Sequence, residues 1–110
     1  MPQLQKFKSG DTLLLSGVYK TNGVPSSLNG YTIRSQIRKN DTLINEVAVT
    51  VANQTLNVGL FSMRVEAADT ALWAPGTYSC DIEFTLNGIV RSTETFEIPV
   101  IKGVTEPLVV

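Results

Sequence analysis

The sequence predicts an all-β fold of the antiparallel sandwich type with about seven strands, because short strand patterns and turns alternate along the whole chain. Turn residues recur roughly every ten positions, a spacing of short strands that is typical of sandwiches and barrels. The segments between the turns alternate apolar and polar side chains or are rich in β-branched residues. The 110 residues suffice for one domain with its own hydrophobic core and are too few for two.

The first half of the chain predicts three strands. Residues 12–19 predict the first strand, with one face made of Leu13, Leu15, Gly17 and Tyr19 and the other of Leu14, Ser16 and Val18. Residues 31–38 alternate in polarity, so one face of this strand is expected to be buried and the other wet. Asn29-Gly30 marks the turn that precedes the second of these strands. Residues 43–51 predict a third strand, with three valines expected inside: Val47, Val49 and Val51.

The second half predicts strands over 59–65, 77–86 and 89–100, with one helical turn over 67–72 as a crossover. Alternation within 77–86 assigns five side chains to the buried face: Tyr78, Cys80, Ile82, Phe84 and Leu86. Asn87-Gly88 joins this strand to the next as a tight hairpin, because both residues tolerate the positive φ of a type I′ turn.

About seven short strands with regular turns suggest an immunoglobulin-like sandwich, although the Cys–Trp–Cys signature of antibody domains is absent. Cys80 is the only cysteine, so no internal disulfide can form. We expect a single domain with three parts. A sandwich core covers 10–100, an extended N-terminal arm covers 1–9, and an extended C-terminal arm covers 101–110.

Both arms carry apolar side chains outside the predicted core strands. These are the candidate interface residues: Leu4, Phe7, Ile101, Val104, Leu108, Val109 and Val110. Two interpretations stay open for them. The ends of a chain are often frayed and serve no contact. Alternatively, the arms become ordered against another subunit by adding a strand to an exposed edge of its sheet.

The charge pattern argues against several classes of partner. The formal net charge is −1 and the pI about 5.3, whereas nucleic-acid-binding domains usually carry a basic stripe. No run of 18 apolar residues suggests a membrane span, and the first residues lack the apolar segment of a secretory signal. Charged residues make up 17% of the chain, below the usual value of about 25%, which suits burial against protein partners.

The sequence offers little for catalysis. It has no histidine, the commonest general base and metal ligand. Cys80 lies within a strand pattern and is predicted to act as a small buried hydrophobe. Asp81 and Glu83 share one strand face, as the two carboxylates of a glycosidase would. Ion pairing across the sheet with Arg34 and Arg38 is the favoured interpretation. We therefore expect no enzyme activity, no cofactor, no metal and no small-molecule substrate.

Four stretches follow one another through most of the chain: KSGDTLLLSGVY, SLNGYTIRSQIRK, APGTYSCDIEFTLNG and TFEIPVIKGVT. Their motifs are Gly10-Asp11-Thr12, Leu28-Asn29-Gly30-Tyr31 through Arg38, Gly76-Thr77-Tyr78 with Cys80-Asp81-Ile82, and Gly103-Val104-Thr105. In this order and spacing they resemble the small immunoglobulin-like proteins encoded among the structural genes of tailed bacteriophages.

That resemblance implies a virion protein, made in the cytoplasm of a bacterial host and carried on the capsid surface. In size the chain is similar to capsid decoration proteins such as the staple proteins of epsilon15-like phages. Its expected partners are the major capsid protein and neighbouring copies of itself, with no nucleic acid or membrane. Two alternatives stay open: an adaptor of the phage tail or baseplate, and a carbohydrate- or receptor-binding module. The last of these predicts exposed aromatic side chains, and a loss of sugar binding when Trp73 is mutated.

Overall fold

A computed structural model of the protein describes residues 4–93 and 95–103, and β-strands account for most of this part of the chain. The first seven strands are β1 (Phe7–Ser9), β2 (Leu13–Val18), β3 (Lys20–Thr21), β4 (Val24–Pro25), β5 (Thr32–Lys39), β6 (Thr42–Glu46) and β7 (Ala48–Val51). The remaining elements are β8 (Leu60–Val65), the short helix α1 (Ala67–Thr70), β9 (Gly76–Leu86), β10 (Ile89–Ser92) and β11 (Phe96–Lys102).

The strands form two main sheets, and the all-β prediction is confirmed. The large sheet has the order β1-β11-β9-β5-β6, with β10 also paired to β9, and the small sheet has the order β2-β8-β7. A separate two-stranded hairpin joins β3 to β4. In an immunoglobulin-like sandwich one sheet contains strands B, E and D, and the other contains G, F, C and C′. The two sheets observed here have that arrangement.

Alternating side chains from both sheets build the core, as the sequence predicts. Ile37 and Ile98 are fully buried, and the inward residues of β8 are nearly so. Strand β9 buries four of the five predicted side chains, namely Tyr78, Cys80, Ile82 and Phe84. The Asn87-Gly88 turn has positive φ at both residues, 51° and 78°, as a type I′ hairpin requires.

The single strand predicted over 43–51 is in fact two strands in different sheets. β6 pairs with β5 of the large sheet, and β7 pairs with β8 of the small sheet. Val47 lies buried at the crossing, where its N–H donates to the carbonyl of Ser35 at 3.0 Å. Val49 is half-buried, but Val51 is 41% exposed rather than inside, because it lies at the end of an edge strand.

The predicted strand over 89–100 is also interrupted. β10 pairs with the last residues of β9, whereas β11 pairs with its first residues. Between them, the N–H of Thr93 donates to the carbonyl of Ile82 at 2.9 Å. The Thr93 hydroxyl accepts from the N–H of Ile82 at 3.0 Å. The Thr93 hydroxyl thus takes the place of a backbone carbonyl as the partner of the Ile82 N–H. The backbone hydrogen bonds of β9 therefore remain satisfied where the chain bends between β10 and β11.

The predicted terminal arms require a correction, because parts of both belong to the large sheet. Phe7–Ser9, assigned to the N-terminal arm, forms β1 and pairs in parallel with Val100, Ile101 and Lys102. Ile101 and Lys102, assigned to the C-terminal arm, complete β11. This parallel pair departs from the all-antiparallel prediction. Its physical reason is that an uncovered edge of β11 would expose unpaired backbone groups.

An aromatic cluster closes the end of the sandwich where β9 begins. The Tyr78 hydroxyl donates to the carbonyl of Ala74 at 2.8 Å. A tyrosine at the start of strand F that bonds back to upstream backbone is the tyrosine corner of immunoglobulin-like domains. The Trp73 ring stacks on Tyr78 at 5.2 Å between centroids, and its Nε1 donates to Oδ1 of Asn45 at 2.6 Å. Phe7 of β1 packs against Trp73 at 5.8 Å.

We predict that Tyr78→Phe lowers the free energy of unfolding by about 1 kcal/mol, because it leaves the carbonyl of Ala74 without its partner. Urea unfolding of the variant and the parent protein measures this. The matched control is Tyr31→Phe, whose half-buried hydroxyl lies 3.4 Å from that of Tyr19 and contributes a weaker contact. Equal losses in the two variants would contradict a special role for the corner.

Candidate interaction surface

The structure places two of the seven predicted interface residues, Leu4 and Phe7, against the protein's own core, and a third, Ile101, on the outward side of β11. The backbone N–H of Leu4 donates to the carbonyl of Glu97 at 2.9 Å, and its side chain packs on the core. Phe7 packs there too, and Ile101 is half-buried opposite Lys8. The other four lie outside the described residues: Val104, Leu108, Val109 and Val110. Whether any of the seven contacts a partner stays a prediction.

The outer face of the small sheet is almost free of charge. Its nine outward side chains are Leu14, Ser16 and Val18 of β2, Leu60, Ser62 and Arg64 of β8, Ala48 and Thr50 of β7, and Ala52 directly after β7. We call these nine residues the neutral face. Leu14 is 62% exposed and Val18 44% exposed. The single charge among them, Arg64, bonds to Glu66 at 2.6 Å.

The outer face of the large sheet is chemically different, because it is charged and polar. It carries Arg34, Arg38, Asp81, Glu83 and Glu97, among other polar side chains. An open polar cavity of about 530 Å³ lies on this face. A face of this kind keeps its hydration more readily than it exchanges water for protein contact.

The predicted ion pairing across this face is only partly observed. The two strands are neighbours as predicted, but the arginine forms its ion pair with a different residue. β5 does lie beside β9, with Arg34 opposite Glu83. The ion pair of Arg34, however, is with Glu46 on its other side, at 2.9 Å. Hydrogen bonds from Gln36 and then from Arg34 lower the pKa of the Glu46 carboxyl below its ordinary value. These contacts are exposed and structural, as surface ion pairs commonly are.

An apolar groove runs beside β2, where the two sheets diverge. Its central cavity measures about 440 Å³ and is lined mainly by apolar side chains, among them Leu15, Phe61, Met63 and Phe96. A cavity of about 410 Å³ continues it past Leu4 and Leu15 toward the β1–β2 connection. A third of about 310 Å³ continues it past Gly17 and Phe61 toward Tyr19. We call this continuous depression the β2 groove.

The aromatic residues do not form an exposed platform for a sugar in the part of the chain that the structure describes. Trp73 is 4% exposed, and its indole N–H is already bonded to Asn45. Tyr78 is buried, and Tyr19 and Tyr31 are half-buried beside one another at 5.2 Å. The exposed aromatic side chains that a carbohydrate-binding module predicts are therefore not observed among the described tyrosines and Trp73.

In the part of the chain that the structure describes, the side chains that could serve in catalysis or metal binding are scattered or buried. Cys80 lies in the core with its Sγ 3.2 Å from the Ser35 hydroxyl, as predicted for a small buried hydrophobe. Within residues 4–93 and 95–103, His, Cys, Asp and Glu side chains nowhere gather in a group of three or more that could hold a metal ion. The helix that this part of the chain contains, α1, has four residues, and no helix there could span a bilayer.

The neutral face was missed by the sequence analysis, although the sequence carries a signal for it. The outward positions of the strands predicted over 12–19 and 59–65 hold mostly serine and aliphatic residues, where surface strands usually carry charge. The β2 groove has no such signal, because it arises from how the two sheets diverge.

In fold, the chain is similar to two solved structures. One is the N-terminal domain of phage TP901-1 ORF48, with a TM-score of 0.60, 20% sequence identity, and coverage of 88% of this chain and 83% of that chain. The other is the endo-β-1,4-mannanase from Thermotoga petrophila, with a TM-score of 0.53 and 12% identity. That match covers 93% of this chain but 18% of the mannanase. No protein-family model and no curated protein sequence matches the chain.

The order of the strands in the two sheets is that of an immunoglobulin-like sandwich, and the chain shares its fold with a domain of a phage protein. At such sequence identities a shared fold does not carry an activity with it. The function therefore has to be argued from the surfaces of this chain.

We predict that Cys80 resists modification in the native protein and reacts once the protein is unfolded. Burial raises the pKa of its thiol above the ordinary value, so the reactive thiolate is disfavoured in the fold. The rate of labelling by a water-soluble thiol reagent at pH 8, with and without urea, measures this. A control with Cys80→Ala and Thr77→Cys moves the thiol to the exposed face of β9 and should label at an ordinary rate. Fast labelling of native Cys80 would contradict the prediction.

Proposed function

We propose that this chain is a structural protein of a bacteriophage virion, carried on the capsid surface, that decorates the shell and reinforces contacts between major capsid subunits. It acts by burying surface, without catalysing a reaction and without a cofactor. The observation that carries the proposal is the neutral face. The likeness of the fold to a phage protein domain supports the phage setting.

The neutral face is suited to permanent contact because burying it requires little desolvation. Taking a charge out of water costs several kcal/mol unless it is paired, and eight of the nine side chains carry none. Small side chains such as Ser62, Thr50 and Ala48 also lose little rotamer freedom when they are covered. Exposed Leu14 and Val18 supply apolar area, worth roughly 25 cal/mol per Å² removed from water.

The two sheets then have different roles in the proposed assembly. The neutral face lies on the major capsid protein, and the charged outer face of the large sheet points to solvent. Each contact is of modest affinity on its own. A shell offers many identical sites, and a protein that spans two subunits at once gains from the high effective concentration of the second contact.

Electron microscopy of phage particles with and without the protein tests its location. The expected result is density on the outside of the shell, across joints between subunits, with the small sheet turned inward. Density at the tail with bare shells would refute the capsid location and favour the tail or baseplate adaptor. Particles that lose no density without the protein would refute a virion role.

We predict that Leu14→Lys weakens binding to shells by at least about tenfold, because burying a leucine is worth roughly 1.5–3 kcal/mol and the new ammonium would be buried unpaired. Co-sedimentation of the purified variant with shells measures this. The matched control is Ile89→Lys, because Ile89 is also 62% exposed but lies on β10 of the large sheet. Equal binding of both variants would show that the neutral face is not the contact.

A further inference from the structure

The outer edge of β2 offers backbone hydrogen bonds that no described residue takes up. β2 is the end strand of the small sheet and pairs with β8 alone. The N–H of Tyr19 donates to the carbonyl of Gly59 on the β8 side, at 2.8 Å. Because backbone groups alternate along a strand, the N–H and C=O groups of Leu14, Ser16 and Val18 point to the open edge. This edge runs along the wall of the β2 groove.

An immunoglobulin-like sandwich has a place for a further strand at this edge. In the constant-type arrangement, strand A lies beside strand B in the sheet that also contains E and D. In this protein β2 occupies the B position, but the first strand, β1, pairs with β11 of the opposite sheet. Among the described residues, the position beside β2 is therefore not filled.

The β2 groove favours an extended segment with apolar side chains at alternate positions. One face of an added strand would lie over Leu15, Phe61 and Phe96, in the cavity of about 440 Å³. Its backbone would pair with Leu14, Ser16 and Val18. Adding a strand to an exposed edge takes its affinity from main-chain bonds and its specificity from pockets for alternate side chains.

We infer that this position takes residues 104–110 of a second copy of the chain. Seven residues follow Gly103 in the sequence, enough for a strand of roughly 23 Å beside the six residues of β2. Leu108 and Val110 would share one face of such a strand and point into the groove. Pro107 fits a strand that runs parallel to β2, because the N–H groups of Leu108 and Val110 then face β2 and the nitrogen of Pro107 faces away from it.

The path of the chain favours a second copy over the same molecule. β1 and β11 run parallel and end together, with Ser9 opposite Lys102. From that end, residues 10–12 lead across to β2. A segment leaving Lys102 would have to cross this connection to reach the free edge of its own β2, and connections at one end of a sheet rarely cross. A neighbouring molecule faces no such crossing.

The proposed contact does not depend on the shell contact above, because one uses the edge of β2 and the other uses the outward side chains of the small sheet. Donation from one copy to the next is a head-to-tail contact, which closes into a ring or extends along a lattice. The chain would thus link its neighbours wherever in the particle it lies.

Amide hydrogen exchange of the full chain at high and low concentration tests the inference. We expect the amides of Leu14, Ser16 and Val18 to exchange at least about tenfold more slowly in the concentrated sample, and light scattering to show a mass above that of the monomer. Leu108→Asp should abolish both effects. Val109→Asp should retain them, because Val109 would point away from the groove.

A second pair of variants tests the receiving edge. Ser16→Pro removes the edge-facing N–H without removing a hydrogen bond to β8, so it should prevent association while the fold is kept. Ser16→Ala alters the same side chain but keeps the N–H, and should associate as the parent does. Exchange at the three amides that is fast at every concentration would overturn the inference. Slow exchange of these amides in a monomeric sample would show that the occupant of the edge is not a second copy. The result of the shell-binding test with Leu14→Lys does not bear on this inference, because that test reports on the neutral face.

Discussion

The register of β9 is the constraint on which the rest of this fold depends. Both edges of the strand are paired, with β5 on one side and with β10 and β11 on the other. Its side chains alternate strictly, so a slip by one residue would bring every buried side chain of the strand to the surface. Two local devices hold the register. The Tyr78 hydroxyl anchors the start of the strand to Ala74, and the positive φ angles of Asn87-Gly88 fix its end.

Alternation in the sequence sufficed to predict most strands, because it reports which side chains face a core. It does not report which edges pair. The strand predicted over 43–51 reads as one continuous pattern, yet Val47 is the point where the chain passes from one sheet to the other. Residues 89–100 fail in the same way, because the bond between Thr93 and Ile82 depends on a partner eleven residues away. The parallel pairing of β1 with β11 joins opposite ends of the chain, and no local pattern encodes it.

Gln54 shows a different limit, since it lies in a segment that the sequence presents as polar and weakly structured. The side chain is buried, and its Oε1 accepts from the N–H groups of Leu28 and Gly59 at 2.9 and 2.8 Å. Its Nε2 donates to the carbonyls of Ala52 and Leu60. One amide thus bonds to four backbone groups, and it supplies the partner for the buried N–H groups of Leu28 and Gly59. A polar residue can be central to a fold for this reason, and only the three-dimensional arrangement of its partners distinguishes it from a solvated one.

The candidate interaction surface shows the same limit. The residue types of the neutral face can be recognised in the sequence, but the β2 groove beside it cannot, because the groove depends on how the two sheets diverge.

The two contacts proposed for the small sheet depend on different chemistry. The proposed contact of the neutral face uses side chains, so its specificity would lie in shape and in the absence of charge to desolvate. The proposed contact at the edge of β2 uses backbone groups, which are the same in any residue but proline, so its specificity would come from the apolar groove beside it. Since the face and the edge lie at right angles on one sheet, the two proposed contacts do not compete for the same surface. In the proposed assembly each contact would hold the molecule in place for the other, and modest free energies at both would combine into a stable layer.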